Sequence, residues 1–177
     1  KLIIGTANFF KSYGHHKSKV EKSEIIKILN FSKKNKISII DISTIYKSDQ
    51  KIYNYFNFKN WSFSFKISKK KNKKLNDEKV FRKYLKFKLE QTNKKKIEYF
   101  FFHNVKDLNT PWGKEIYKIL LKFKGEGLID KIGVSIYDQF ELKYVLKYFK
   151  IHVVQLPINI FDQRFLDKNL IKKLKKN

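Results

Sequence analysis

Four residues between positions 41 and 103 have the types needed to protonate a carbonyl oxygen: Asp41, Tyr46, Lys66 and His103. A free phenol has a pKa of about 10 and is a poor proton donor at neutral pH. An ammonium group held against it favours the phenolate and eases the transfer, and a carboxylate behind the ammonium keeps that charge in place. Tyr46, Lys66 and Asp41 supply such a chain, and a neutral His103 could hydrogen-bond a carbonyl oxygen and orient it. The set suits carbonyl reduction. Each member also has a plainer role: Tyr46 is one of ten tyrosines, Asp41 could be an N-cap or turn former, and His103 could be a satisfied core histidine. Lys66, between Phe65 and Ile67, could point outward from a strand end, although lysine is rarely buried without a partner. Four plain roles at neighbouring strand ends are less coherent than one shared site.

The elements that must bring these residues together follow from hydrophobic periodicity. Short apolar runs predict strands at Leu2–Gly5, Ser38–Ile42, Ser62–Ile67, Ile97–His103, Ile132–Ser135 and Val153–Leu156. Helical spacing predicts helices at Glu24–Asn35, Ser48–Tyr55, Asp77–Thr92, Trp112–Lys124 and Phe140–Phe149, with another starting at Arg164–Leu174. In the third helix, Val80, Tyr84, Phe87 and Leu89 mark the face expected to lie on the sheet. Alternating strands and helices imply a parallel sheet.

Two parallel architectures fit, a doubly wound open sheet and an eight-stranded β/α barrel. A dinucleotide-binding open sheet should carry a glycine-rich turn after its first strand. Here Gly5 is followed by Thr6-Ala7-Asn8-Phe9, and the Gly125/Gly127 pair follows a helix, where it reads as a C-cap and turn. Polar residues instead mark the C-terminal ends of successive strands: Asp41, Lys66, His103, Ser135 and Gln155. In a barrel those ends share one mouth, where such folds place their chemistry. A full barrel takes ~250 residues, so the expectation is one incomplete (β/α)8 TIM-barrel domain over residues 1–177, with about six units present, strands seven and eight missing, and two open edges. The chain lacks methionine and opens on Leu2-Ile3-Ile4, so it is expected to begin upstream of Lys1.

Composition narrows the classes further. The formal charge is +25, yet only Arg82 and Arg164 are arginines and the remaining basic residues are lysines. Phosphate and base recognition leans on the guanidinium fork, so lysine spread along the chain is read as compositional bias, and nucleic acid is not the expected partner. With no cysteine, disulfides, thiolate metal sites and cysteine nucleophiles are excluded. The adjacent His15-His16 point different ways and lack a third ligand nearby, so no metal is expected. No apolar run approaches the ~20 residues of a membrane span and no signal-peptide pattern opens the chain, which suggests a soluble, cytoplasmic protein. Lys69–Lys74 reads as a solvated loop. Trp112 and the aromatic stretch Tyr53–Trp61 could line the mouth or simply pack.

The motifs also carry a family resemblance. Leu2-Ile3-Ile4-Gly5-Thr6-Ala7 resembles the first strand of the aldo/keto reductases, and Asp41-Ile42-Ser43-Thr44-Ile45-Tyr46 resembles their D-T-A-x-x-Y segment. Phe65-Lys66-Ile67-Ser68 and Tyr99-Phe100-Phe101-Phe102-His103 resemble the strands bearing the catalytic lysine and histidine. Glu126 to Ser135 resembles E-G-K-I-R-x-I-G-V-S, and Val153 to Asn159 resembles V-V-Q-x-x-Y-N. The resemblance implies an NADPH-dependent oxidoreductase, with NADH possible, acting on an aldehyde or ketone. Tyr46 would be the general acid, Lys66 and Asp41 its tuning pair, and His103 the orienting group. Ser135 and Gln155 would meet the nicotinamide carboxamide, with Thr6 near the cofactor. Lys47 replaces the glycine usual after the tyrosine, and Ile136 the asparagine common after the serine. The family's nicotinamide-stacking aromatic and phosphate pockets would lie beyond residue 177, so this portion alone could be inactive. The alternative reading is a non-catalytic, strongly basic protein on a degenerate barrel, binding nucleic acid or another polyanion.

Overall fold

The computed structural model describes residues 2–12, 19–46, 48–167 and 174. Six strands lie in one parallel sheet: β1 (Ile4–Gly5), β2 (Ile39–Ser43), β3 (Ser62–Ile67), β4 (Ile97–Phe102), β5 (Ile129–Ser135) and β6 (Val153–Gln155). They are hydrogen-bonded in strict sequence order, β1-β2-β3-β4-β5-β6, every pair parallel. A doubly wound sheet reverses its order at a switch point; this one never does, and it curls into part of a β/α barrel. β1 and β6 are its unpaired edges among the described residues.

The helices are α1 (Lys22–Lys34), α2 (Ser48–Lys51), α3 (Glu78–Thr92), α4 (Val105–Leu108), α5 (Pro111–Gly125) and α6 (Gln139–Tyr148). Local chemistry fixes their ends. The side chains of Asp77, Asn104, Thr110 and Asp138 accept hydrogen bonds from the first-turn amides of α3, α4, α5 and α6, and Pro111 occupies the first turn of α5, where a missing N–H costs nothing. After α5, Gly127 takes φ +75° and the Leu128 amide donates to the Phe123 carbonyl, the pattern that ends a helix through a left-handed residue. The expected helix over Ser48–Tyr55 is instead the short α2 followed by a 3-10 turn at Ile52–Asn54. β5 starts three residues earlier than its apolar run, at Ile129, because Ile129 and Lys131 continue the ladder opposite Ile97 and Tyr99. The helix expected from Arg164 lies mostly outside the described residues, as do His15, His16 and Lys47; Arg164 and Phe165 form a turn.

Period-two alternation divides each strand between two environments. Ile40, Ile42, Phe63, Phe65, Phe100, Phe102, Ile132 and Val134 face the helices and form one core with Ile25 and Leu29 of α1, Phe81 and Leu85 of α3, Ile116 and Phe123 of α5, and Leu142 and Val145 of α6. Each such side chain contributes about 1.5–3 kcal/mol when fully buried. α3 turns inward a stripe that only partly matches the one its sequence suggests: Leu89 is buried and Tyr84 packs on the core as expected, joined by Phe81, Leu85, Lys88 and Thr92, while Val80 and Phe87 are exposed. Trp112 packs on Phe102 and donates its indole N–H to the Asn72 carbonyl, and Phe56, Phe58, Trp61 and Phe63 form an aromatic cluster, so both features serve packing.

The opposite parity faces the barrel interior. Ile39, Asp41, Ser64, Tyr99, Phe101, Val153 and Gln155 line a cavity of about 330 Å³ there. Gly133 makes room for this packing: a Cβ at that position would sit 2.5 Å from the Phe101 ring and 2.8 Å from Val153 Cγ1.

Candidate active site

Because every strand is parallel, Ser43, Ser135 and Gln155 at the ends of β2, β5 and β6, Lys66 one residue before the end of β3, and His103 directly after β4 emerge at one rim, while Asp41 sits two residues deeper, in the middle of β2. The ladder extends one step past the strands, with the Thr44 amide donating to the Lys66 carbonyl and the His103 amide to the Ile67 carbonyl, 3.0 and 2.9 Å. These bonds fix where the site residues leave the sheet. The chain then turns sharply, the Tyr46 amide donating to the Ser43 carbonyl at 2.8 Å.

Tyr46, Lys66, His103, Ser135 and Gln155 line one cleft of about 200 Å³ at this rim, with Ile136 and Tyr137 on its wall. The Tyr46 and His103 rings meet edge to face, centroids 6.1 Å apart. Below them, Lys66 Nζ donates to Asp41 Oδ2 at 2.6 Å, with side chains only 6% and 10% exposed, and Ser64 Oγ donates to Asp41 Oδ1 at 3.0 Å. Asp41 itself faces the interior cavity beneath the cleft. An ion this deeply buried is tolerated only when paired and hydrogen-bonded, and Asp41 has both partners. The serine on β3 was not anticipated from the sequence, although it lies two positions before Lys66 and so shares its face.

His103 is half-buried, and its pKa falls below the ordinary 6.5, chiefly because burial disfavours the charged ring and secondarily because the Lys66 ammonium repels it; Asp41 and Asp107 oppose the shift more weakly. A neutral imidazole can donate a hydrogen bond without adding charge. Its Nδ1 lies 3.2 Å from Ser43 Oγ.

On the far wall, Ser135 Oγ donates to Gln155 Oε1 at 3.3 Å, and the Ile136 amide to the Gln155 carbonyl at 2.8 Å. A hydroxyl beside a carboxamide can serve a group with both an acceptor oxygen and N–H donors, which fits the amide end of a nicotinamide. Thr6 does not line this cleft: it is fully buried, and its hydroxyl donates to the Asp41 backbone carbonyl at 2.7 Å, tying the end of β1 to β2. Among the described residues no group of three or more histidine, aspartate or glutamate side chains could hold a metal ion.

The family model for aldo/keto reductases matches residues 1–177. The chain belongs to the aldo/keto reductase family. No curated protein matches it. Solved structures of aldo/keto reductases share its fold at low identity. A Pseudomonas aeruginosa protein described as an aldo-keto reductase superimposes with TM-score 0.70 at 17% identity over 98% of this chain and 68% of its own. The glycerol dehydrogenase of Gluconobacter oxydans gives 0.67 at 18%, over 98% of this chain and 56% of its own. An aldose reductase from Giardia lamblia gives 0.62 at 17%, over 87% and 60%. The chain thus spans roughly three fifths of the length of these aldo/keto reductases. No helix among the described residues is long and apolar enough to cross a membrane.

Proposed function

We propose that this aldo/keto reductase chain carries the acid–base centre of an enzyme that reduces an aldehyde or ketone to an alcohol. The observation that carries the reading is the Asp41–Lys66 pair buried beneath a cleft that also holds Tyr46 and His103. A phenol needs a nearby fixed cation to act as an acid at neutral pH, and the second carboxylate oxygen, held by Ser64, stops the aspartate from turning away.

The substrate carbonyl oxygen would accept hydrogen bonds from the Tyr46 hydroxyl and the His103 ring. As negative charge grows on that oxygen, Tyr46 transfers its proton to it, and the resulting phenolate is stabilised by the Lys66 ammonium. Asp41 holds the Lys66 amine in place beneath the phenol through the 2.6 Å bond to its Oδ2. Solvent then returns a proton to Tyr46. NADPH, with NADH as the alternative, supplies the hydride that reaches the carbonyl carbon when bound; Ser135 and Gln155 would hold its carboxamide, and Thr6 would steady the strand end beside it. A cytoplasmic location is part of this proposal.

The test is oxidation of NADPH by the protein, expressed with its flanking coding sequence, against a panel of small aldehydes and ketones. Carbonyl-dependent oxidation supports the proposal. If NADPH binds yet no carbonyl is reduced across the panel, the reading fails.

A further inference from the structure

His103 has a neighbour that carbonyl chemistry does not itself require. Ser43, the last residue of β2, is fully buried, and its Oγ lies 3.2 Å from Nδ1 of the His103 ring, which follows β4 at the same rim. The backbone N–H of Ile45 points at the same oxygen from 3.4 Å and occupies one of its lone pairs. The hydroxyl has one proton to place, and among the described residues Nδ1 is the acceptor within its reach. Were Nδ1 protonated, it would have to donate to Oγ, and the serine proton would be left buried with no acceptor, an arrangement that native structures avoid.

We propose that Ser43 is a positioning residue that donates its hydroxyl proton to Nδ1 and so locks neutral His103 as the Nε2–H tautomer. Burial and the Lys66 ammonium already favour the neutral ring over the charged one, against the weaker pull of Asp41 and Asp107; the serine then chooses between the two neutral forms. The partner of one ring nitrogen decides the role of the other. The consequence for a carbonyl in the cleft rests on the function proposed above: its oxygen meets an N–H donor rather than a bare nitrogen lone pair. Ser43 stands where the D-T-A-x-x-Y pattern has alanine, so the hydroxyl is a feature of this chain beyond that pattern.

The experiment is a long-range proton–nitrogen correlation spectrum of the nitrogen-15-labelled protein near neutral pH, with the His103 signals assigned by comparison with His103→Gln. Nδ1 is expected in the range of an unprotonated ring nitrogen and Nε2 in that of a protonated one. Ser43→Ala should move Nδ1 downfield as the hydrogen bond is lost, and Ser43→Thr, which keeps the hydroxyl, should restore the original pattern. A protonated Nδ1 in the unaltered protein overturns the lock, as do nitrogen shifts unchanged by Ser43→Ala. The spectrum requires neither cofactor nor substrate. A protein with this tautomer but no reductase activity would defeat the functional proposal and leave the lock standing.

Discussion

Lys66 reaches Asp41 across two adjacent strands, Nζ 2.6 Å from Oδ2, with almost no solvent on either side chain. The register brings this about. Asp41 stands opposite Ser64, and Lys66 opposite Ser43, so Lys66 lies one inward step further along β3 and its long stem leans back onto the carboxylate. Charge placed this way serves a cleft better than it serves stability, because desolvation offsets much of the Coulomb attraction.

Asp41→Asn should therefore lower unfolding free energy by about 3–5 kcal/mol, the usual cost of stranding one partner of a buried pair. The double variant Asp41→Leu/Lys66→Met should recover most of that loss in urea denaturation while remaining without carbonyl reductase activity. A double variant as unstable as Asp41→Asn would show that the pair, rather than the stranded charge, sets stability.

Stability should also fall on acidification because of the histidines. His103 and His152 both have pKa values below the ordinary 6.5, each chiefly through burial. Below that value the unfolded chain binds more protons than the folded one, so their contribution is present above pH 6.5 and is lost as pH falls through the folded values. His103→Gln should flatten the stability profile in this acidic range, with His152 retaining part of the slope. A profile unchanged by the substitution would contradict the assignment.

A second buried ion pair stands behind the site. Lys88 Nζ on α3 donates to Asp49 Oδ1 at 2.6 Å within a group of rings that includes Tyr53, Phe65 and Tyr84, and the Asp49 amide donates to the Tyr46 carbonyl. Lys88→Met leaves the Asp49 carboxylate buried and unpaired, and a loss of about 3–5 kcal/mol is expected by denaturant titration. A loss under about 1 kcal/mol, the range of surface pairs, would mean that Asp49 is not held as described.

Lys36, directly after the cap of α1, adopts φ +59°, a conformation that costs a side-chain-bearing residue about 1–2 kcal/mol. The Ile37 amide donates to the Ser32 carbonyl around it, so the turn is a helix stop in which glycine is usual. Lys36→Gly should raise the urea midpoint slightly, the relief of strain exceeding the added freedom of the unfolded chain. A lower midpoint would contradict this.

These cases show what the sequence carries and what it conceals. Asp41, Lys66 and His103 were legible because strand-end polar residues stand out against apolar runs, and parallel topology gathers strand ends. Lys88 was not legible: on a helix with lysine at every turn, a lysine that enters the core resembles the others, and only packing reveals that α3 faces inward through Phe81, Leu85 and Leu89. Ser43 and Ser64 were missed for a similar reason. Serine is unremarkable in a strand until period-two parity places it beside Asp41 and His103. The short helix α4 follows from Asn104 acting as an N-cap, a signal too brief to register as periodicity.

The central claim is that Tyr46 supplies the proton to a reduced carbonyl, and the most direct measurement compares Tyr46→Phe with the unaltered protein, each expressed with its flanking coding sequence. NADPH affinity is followed by fluorescence and carbonyl-dependent NADPH oxidation by absorbance. Removal of one positioned general acid is expected to cost about 10²–10⁴-fold in turnover, with NADPH binding unchanged. Turnover in Tyr46→Phe within a few-fold of the original would contradict the account.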